Sequence, residues 1–97
     1  MREFRVSAEG NVNALAAAIA GVFEDDVSQV ISLHCIGPRS VNNGVKAVAT
    51  AKNMMLKEGI KGVVLVVRPE FLTKHIRERD VTAIDLQVRA EHESQTN

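Results

Sequence analysis

Residues 37–57 read GPRSVNNGVKAVATAKNMMLK and contain the pattern on which the fold prediction depends. Gly37 and Pro38 end the preceding segment, and proline suits the first turn of a helix because it has no N–H to leave unpaired. Ser40 is the predicted N-cap, and Gly59 is the predicted C-terminal stop. Between them, apolar residues recur at helical spacing, which predicts an amphipathic helix. The apolar stripe consists of Val41, Gly44, Val45, Val48, Ala51 and Met55.

Positive charge is concentrated in the same stretch, whose four charged residues are all basic. The whole chain is nonetheless neutral, with 12 Lys plus Arg against 12 Asp plus Glu, and the charged residues between positions 9 and 26 are all acidic. Such an uneven distribution favours binding of a polyanion to the basic part of the surface. The four basic residues are Arg39, Lys46, Lys52 and Lys57.

Length and composition are those of a small globular protein. Ninety-seven residues suit a single domain, which we place at residues 1–90, and the polar tail 91–97 is predicted to be disordered. No apolar run is long enough to cross a bilayer and the first residues do not resemble a signal peptide, so we expect a cytoplasmic protein with no membrane partner. The single cysteine excludes an internal disulfide, and the absence of Trp and Tyr argues against a surface that stacks several bases.

The first part of the chain predicts a strand, a helix and a second strand. Apolar and polar residues alternate over residues 4–9, as in a strand with one buried face. Asn11 or Asn13 can cap a helix that spans residues 12–23. Residues 27–36 are predicted to form the second strand, because apolar side chains again recur at every second position.

The last part predicts two further strands. Residues 63–67, VVLVV, form a continuous β-branched run that is typical of a strand buried on both faces. Pro69 allows strand pairing only at an edge or a bulge, so residues 68–80 are predicted to form a long hairpin connection or a protruding arm. Alternation over residues 82–88 predicts a final, half-exposed strand.

The predicted order is strand, helix, strand, helix, strand, strand. This order favours a two-layer α/β (α+β) sandwich, in which a four-stranded mixed sheet carries both helices on one face. Both helices fall on the same side because each strand–helix–strand crossover is right-handed.

Three segments, in this order, carry a resemblance to a known family: VSAEGNVNALAAAIAGVF at 6–23, IGPRSVNNGVKAVATA at 36–51 and VTAIDLQVRAE at 81–91. Together they resemble the stage V sporulation protein S family, a bacterial group within the Alba-like superfamily, over residues 4–91. The resemblance implies an Alba-like β-α-β-α-β-β fold with sheet order 1-2-4-3 and assembly as a homodimer. It also implies a nucleic-acid-binding ancestry and a role in bacterial developmental control such as sporulation.

The chain departs from the Alba pattern at one place. Alba chromatin proteins carry a lysine pair where the first strand turns into the first helix, and this pair contacts phosphate. Here Glu9, Gly10 and Asn11 stand at that place, and an acid repels a phosphate backbone. Two basic elements of the pattern are retained: the Gly37-Pro38-Arg39 turn, and a hairpin with Lys74, Arg77 and Arg79.

The first candidate site lies on the first two turns of the second predicted helix. Arg39, Asn42, Asn43 and Lys46 share one face of that helix. Two cations, two amides and the free N–H groups of a helix start can hold a phosphate. The alternative is an ordinary solvated helix face. The family resemblance favours anion binding.

The second candidate site is the 68–80 segment. Lys74, Arg77 and Arg79 are basic residues that an arm could bring to a nucleic-acid groove. The alternating signs of RERD at 77–80 are also typical of a salt-bridged, soluble loop. The apolar residues of the segment fit packing on a partner subunit better than insertion between bases. They are Phe71, Leu72 and Ile76.

No catalytic or metal-binding arrangement is recognisable. His34 and Cys35 are neighbours in a predicted strand and face opposite sides of it, so they cannot hold one ion together. Cys35 shares its strand face with Ile31 and Leu33, which predicts burial as a small hydrophobe. Since the chain has no P-loop, dinucleotide-binding motif or Ser/His/Asp set, we predict no catalytic residues, metal or cofactor.

Two hypotheses of function follow. The first is a small dimeric regulatory protein that binds DNA or RNA weakly through backbone phosphates, using the helix start and the hairpin arm. The second is a protein-interaction module that acts on a regulatory partner and no longer binds nucleic acid. Glu9 and the zero net charge favour the second hypothesis, whereas the two basic elements favour the first.

Overall fold

A computed structural model describes residues 1–93. Within this range the chain forms four strands and two helices in the predicted order. The elements are β1 (Arg2–Val6), α1 (Val12–Asp25), β2 (Val30–Cys35), α2 (Pro38–Lys57), β3 (Val63–Ile76) and β4 (Arg79–His92).

The four strands form one mixed sheet in the order β1-β2-β4-β3. β1 is parallel to β2, while β4 is antiparallel to both of its neighbours. Both helices lie on one face, and the buried core lies between them and the sheet. The predicted two-layer sandwich and the sheet order implied by the family resemblance are therefore confirmed. The largest buried side chains are those of Ile19, Phe23, Ile31, Leu33, Met55 and Val88.

The helix α1 begins after Asn11, which is one of its two predicted N-cap residues. The Asn11 side chain accepts a hydrogen bond from the backbone N–H of Ala14, which satisfies one of the orphan donors of the first turn. The helix ends at Asp25, and Asp26 caps it. The hydroxyl and the backbone N–H of Ser28 both donate to the Asp26 carboxylate, and these bonds lower the pKa of Asp26.

The helix α2 begins earlier than its predicted cap. Gly37, at φ 86°, is the N-cap residue, so the prediction of Ser40 was wrong. Ser40 lies inside the first turn, where its hydroxyl donates to the carbonyls of Ile36 and Gly37. A β-branched or bulky residue at position 37 would be strained at this φ, whereas glycine is not.

The buried face of α2 also differs from the prediction at one position. Val45 is 50% exposed, whereas Ala47 is fully buried. Gly44 lies where the helix comes close to the sheet, because a Cβ atom there would lie 3.1 Å from Cδ1 of Leu86 and 3.3 Å from Sγ of Cys35. Small residues therefore decide which side of α2 faces the core.

The strand β3 is not buried on both faces as predicted. It occupies the edge of the sheet, where Val63 is buried but Val67 is 36% exposed. A continuous apolar run is typical of a central strand, but periodicity carries no information about which strands become neighbours. Among residues 1–93, no strand pairs with the outer edge of β3.

The segment 68–80 is a protruding arm and not a long connection. β3 continues to Ile76 and β4 begins at Arg79, so only a two-residue turn joins them. Arg77 and Glu78 both have positive φ, 50° and 66°, which is the geometry of a type I′ hairpin turn. Pro69 is tolerated because β3 is an edge strand.

The C-terminal tail begins later than predicted. Glu91 and His92 pair with Val64 and Val63, and the N–H of Glu93 donates to the carbonyl of Gly62. The strand β4 therefore continues two residues past the predicted domain boundary at residue 90. The rest of the predicted tail, residues 94–97, lies outside the described residues.

Candidate nucleic-acid interface

The two basic elements lie at the same end of the sheet. β2 ends at Cys35, paired with Ile84, and the chain passes almost directly into α2. The β3–β4 hairpin continues past this point to the turn at residues 77–78. The start of α2 and the hairpin arm are thus brought to one end of the molecule by the topology, although more than thirty residues separate them in the chain.

Arg39 is not free of acidic neighbours. Its Nη1 lies 3.0 Å from Oε1 of Glu9, and the two side chains are 71% and 76% exposed. An exposed pair of this kind contributes about 0.2–1 kcal/mol, so Arg39 can exchange the carboxylate for another anion at little cost. The sequence identified Glu9 as a source of repulsion, but its pairing with Arg39 appears only in the tertiary structure.

Asn43 uses its amide within the protein. Its Nδ2 donates to the carbonyls of Ser7 and Ala8 at 3.1 and 3.2 Å, which ties the β1–α1 turn to α2. Both N–H groups of the amide are engaged, so Asn43 positions the turn and offers no donor to a ligand.

Asn42 and Lys46 are exposed on the same part of α2. No carboxylate within residues 1–93 forms an ion pair with Lys46. No side chain of the described residues caps the start of the helix, so the backbone N–H groups of its first turn remain available to an anion.

The hairpin arm carries four cations, of which Arg68 pairs with Glu70 at 3.0 Å and the other three lie closer to the turn. Arg77 lies in the turn itself, Arg79 lies just after it, and both are exposed, while Lys74 is half-buried. None of the three forms an ion pair with a carboxylate of residues 1–93. The pair across the hairpin joins His75 Nδ1 and Asp80 Oδ1 at 3.2 Å. The alternative of a salt-bridged, soluble loop therefore fits only part of this segment, because three of its cations form no ion pair among residues 1–93.

Phe71 is the most exposed large apolar side chain of the described residues, at 82%. It follows Val67 on the helix side of the edge strand β3. Leu72 is half-buried and Ile76 is 38% exposed. The arm is therefore both cationic and apolar, as a surface that contacts another molecule would be.

Sequence reasoning missed a polar network on the open face of the sheet, which is the face away from the helices. The Ser32 hydroxyl donates to Asp85, and Gln87 Nε2 donates to the same carboxylate at 3.2 Å. On the neighbouring strands, His34 Nε2 lies 3.2 Å from Oε1 of Glu3. Alternation predicted which residues face this side, but pairing between strands distant in sequence created the network.

Cys35 is fully buried on the opposite, helix-facing side, as predicted. Burial, reinforced by the negative charge of Asp85, raises the pKa of its thiol to about 11. The thiol is therefore protonated at neutral pH and is a poor nucleophile.

The described part of the chain contains neither a metal-binding cluster nor a membrane-spanning helix. Within residues 1–93, no group of three or more His, Cys, Asp or Glu side chains could hold a metal ion. None of the helices in this range is long and apolar enough to span a bilayer.

Comparison with known families identifies the chain. The model of the family described as Stage V sporulation protein S (SpoVS) matches residues 2–91. The chain belongs to the SpoVS family. The resemblance carried by the three segments is thus confirmed, and it extends over nearly the whole SpoVS chain.

The fold of this SpoVS protein is similar to that of Alba from Thermoplasma volcanium. The TM-score is 0.58 at 10% sequence identity, and the match covers 91% of this chain and 99% of the Alba chain. At this identity the comparison shows the shared Alba-like fold alone.

Proposed function

We propose that this SpoVS protein is a small dimeric regulator that binds DNA or RNA through the phosphate backbone. The observation that carries the proposal is the clustering of cations at one end of a chain whose net charge is zero. Among residues 1–93, four cations at this end form no ion pair with a carboxylate: Lys46, Lys74, Arg77 and Arg79. Arg39 lies with them in an exposed, weak ion pair.

The protein would bind nucleic acid by electrostatic contacts with the phosphates and not by hydrogen bonds to the base edges. Lys46 and the uncapped N–H groups of α2 form one part of the surface, and the hairpin arm forms the other. Asn42 lies beside Lys46 and can donate to a phosphate oxygen, whereas Asn43 acts by holding the β1–α1 turn. Contacts of this kind are sequence-independent and weaken steeply as salt rises.

Glu9 limits the affinity of this surface. A phosphate that approaches Arg39 must displace the Glu9 carboxylate and remain close to it. The displacement costs little because the pair is exposed, but the like charges of phosphate and carboxylate oppose binding. Weak binding at physiological salt is therefore expected.

The dimer is supported by apolar side chains that the described chain leaves uncovered. Val45, Ala49 and Leu56 are exposed along one side of α2, and Val67 and Phe71 are exposed on the adjacent edge strand β3. A second copy of the chain would cover both, because a two-fold interface brings the same surface of each subunit together.

The test is fluorescence anisotropy with a labelled DNA duplex and a structured RNA, at about 50 and 200 mM salt. Wild type is compared with Arg39→Glu and Lys46→Glu, and Lys57→Glu is the matched control because Lys57 lies at the other end of α2. We expect the first two variants to bind more weakly and to reduce the slope of log K against log salt by about one. Equal binding by all four proteins would refute this surface.

The protein-interaction module is the second candidate. The Arg39–Glu9 pair and the exposed Phe71 favour it, since the first weakens the anion surface and the second offers an apolar contact. No binding to duplex DNA, single-stranded DNA or RNA near physiological salt, together with a stable dimer in light scattering, would support this candidate over the first.

A further inference from the structure

A groove on the open face of the sheet lies between the hairpin arm and the ends of β1 and β2. Its volume is about 430 Å³, and small-molecule sites commonly enclose about 300–1,000 Å³. Three separate segments line it: Arg5 from β1, His34 and Ile36 from the end of β2, and Lys74, His75 and Ile76 from the arm.

The polar side chains of the groove are all cations or histidines. Arg5 and Lys74 are the basic residues of the groove, and no carboxylate of residues 1–93 pairs with either. His34 contacts Glu3 through Nε2, which leaves its second ring nitrogen for a ligand. His75 pairs with Asp80 and lies on the opposite side of β3 from Lys74. No acidic residue is among the side chains that line the groove.

The apolar part of the groove is also exposed. Ile36 and Ile76 are 42% and 38% exposed, although both are large aliphatic residues. They come from the two sides of the groove, so an apolar group placed between them would cover both.

We propose that this groove binds a small, soluble phosphate ester, with its phosphate between Arg5 and Lys74 and its apolar part against Ile36 and Ile76. A phosphate suits the site better than a carboxylate because it carries more negative charge and a third terminal oxygen, so it can contact two cations and a histidine together. The site differs from the start of α2 but shares Lys74 with the proposed nucleic-acid surface. A titration without nucleic acid therefore tests the groove by itself.

The test is a titration of ¹⁵N-labelled protein, followed by amide chemical shifts, with hexyl phosphate, inorganic phosphate and hexanol as separate probes. We expect hexyl phosphate to bind with a dissociation constant of about 4 mM, a value typical of a ligand with so few non-hydrogen atoms. Inorganic phosphate and hexanol should each bind about tenfold more weakly, because each supplies only half of the contacts. The shifts should centre on residues 5, 34–36 and 74–76.

The double variant R5Q/K74Q should weaken binding of hexyl phosphate by about tenfold or more. Arg89→Gln is the matched control, since Arg89 is exposed on the same sheet face but outside the groove. Unchanged amide spectra away from the groove establish that each variant is folded. Wild-type affinity in the double variant, equal affinity for hexanol, or shifts centred on residues 39–43 would each overturn the proposal.

Discussion

Arg39 and Glu9 form an exposed ion pair, with Nη1 and Oε1 3.0 Å apart, that joins the first turn of α2 to the β1–α1 turn. Both residues lie where phosphate contact is proposed, and one neutralises the other. Removing Glu9 should therefore change nucleic-acid binding without removing any cation.

Glu9→Gln is expected to strengthen binding to duplex DNA or RNA by about two- to fivefold at low salt, the equivalent of one exposed ion pair. The gain should shrink as salt rises, because the repulsion it removes is screened. Anisotropy titrations measure it. The control is Glu24→Gln, which makes the same charge change in the last turn of α1. An equal gain in both variants would mean that net charge, and not this position, sets the affinity.

Asn43→Ala is expected to lower the free energy of unfolding by about 1–2 kcal/mol, because the carbonyl of Ala8 loses its donor and that of Ser7 keeps only the N–H of Gly10. Asn42→Ala, one position earlier and exposed, should change it by less than about 0.5 kcal/mol. Urea unfolding measures both. Equal effects of the two substitutions would contradict the positioning role assigned to Asn43.

Gly44→Ala and Gly21→Ala are expected to have opposite effects. Alanine favours a helix interior by about 1 kcal/mol over glycine, but at position 44 its Cβ would lie 3.1 Å from Leu86 and 3.3 Å from Cys35. Crowding of this kind costs about 1–3 kcal/mol, so we expect Gly44→Ala to be destabilising. At position 21 nothing lies within 4 Å of the added atom, and the helix preference should stabilise the protein. Thermal or urea unfolding measures whether each substitution raises or lowers the free energy of unfolding.

Cys35 is expected to resist alkylation in the native state. With a pKa of about 11, its thiol is about one-thousandth ionised at pH 8. Iodoacetamide should therefore modify it only when the protein unfolds, which mass spectrometry at increasing urea would show. Rapid modification of folded protein would contradict both the burial and the raised pKa.

The same thiol should make stability depend on pH. The folded-state pKa lies above the ordinary value of 9.0, so the contribution of Cys35 is fully present below about pH 9 and is lost as pH rises toward 11. The free energy of unfolding should therefore fall more steeply over this window in wild type than in Cys35→Ala. Parallel slopes in the two proteins would contradict the assignment.

Val45→Glu is expected to shift the proposed dimer to monomer, because it places a charge on the exposed apolar side of α2. Ala17→Glu, on the exposed side of α1, makes the same change away from that surface and should leave the assembly unaltered. Light scattering over a range of protein concentrations measures the mass. A dimer that persists in Val45→Glu would place the interface elsewhere.

The burial and the length of β3 were not predicted correctly from its own residues. Its apolar run correctly predicted a strand, but residues 63–67 were expected to be buried on both faces and instead form an edge. Residues 68–76 were not recognised as its continuation, because proline and charged residues at an edge strand look like a loop in sequence. Edge strands tolerate both, since one side of their backbone needs no partner.

In the candidate site too, the sequence predicted the placement of residues within one helix but not their contacts with other segments. Sequence spacing placed Arg39, Asn43 and Lys46 on one helical face, and the structure agrees with that placement. Their different roles follow from the β1–α1 turn, which engages the first two and leaves Lys46 exposed. Contacts between segments thirty residues apart cannot be deduced from the spacing within either one.

The amino-acid sequence by itself determined the order of the elements and the two-layer class, because hydrophobic periodicity and turn residues act over a few neighbouring positions. The resemblance of three segments gave the family and, with it, the sheet order. Only the tertiary structure decided which cations of residues 1–93 remain unpaired and where the groove forms. These properties depend on which distant segments become neighbours, and that choice is made by packing of the whole core.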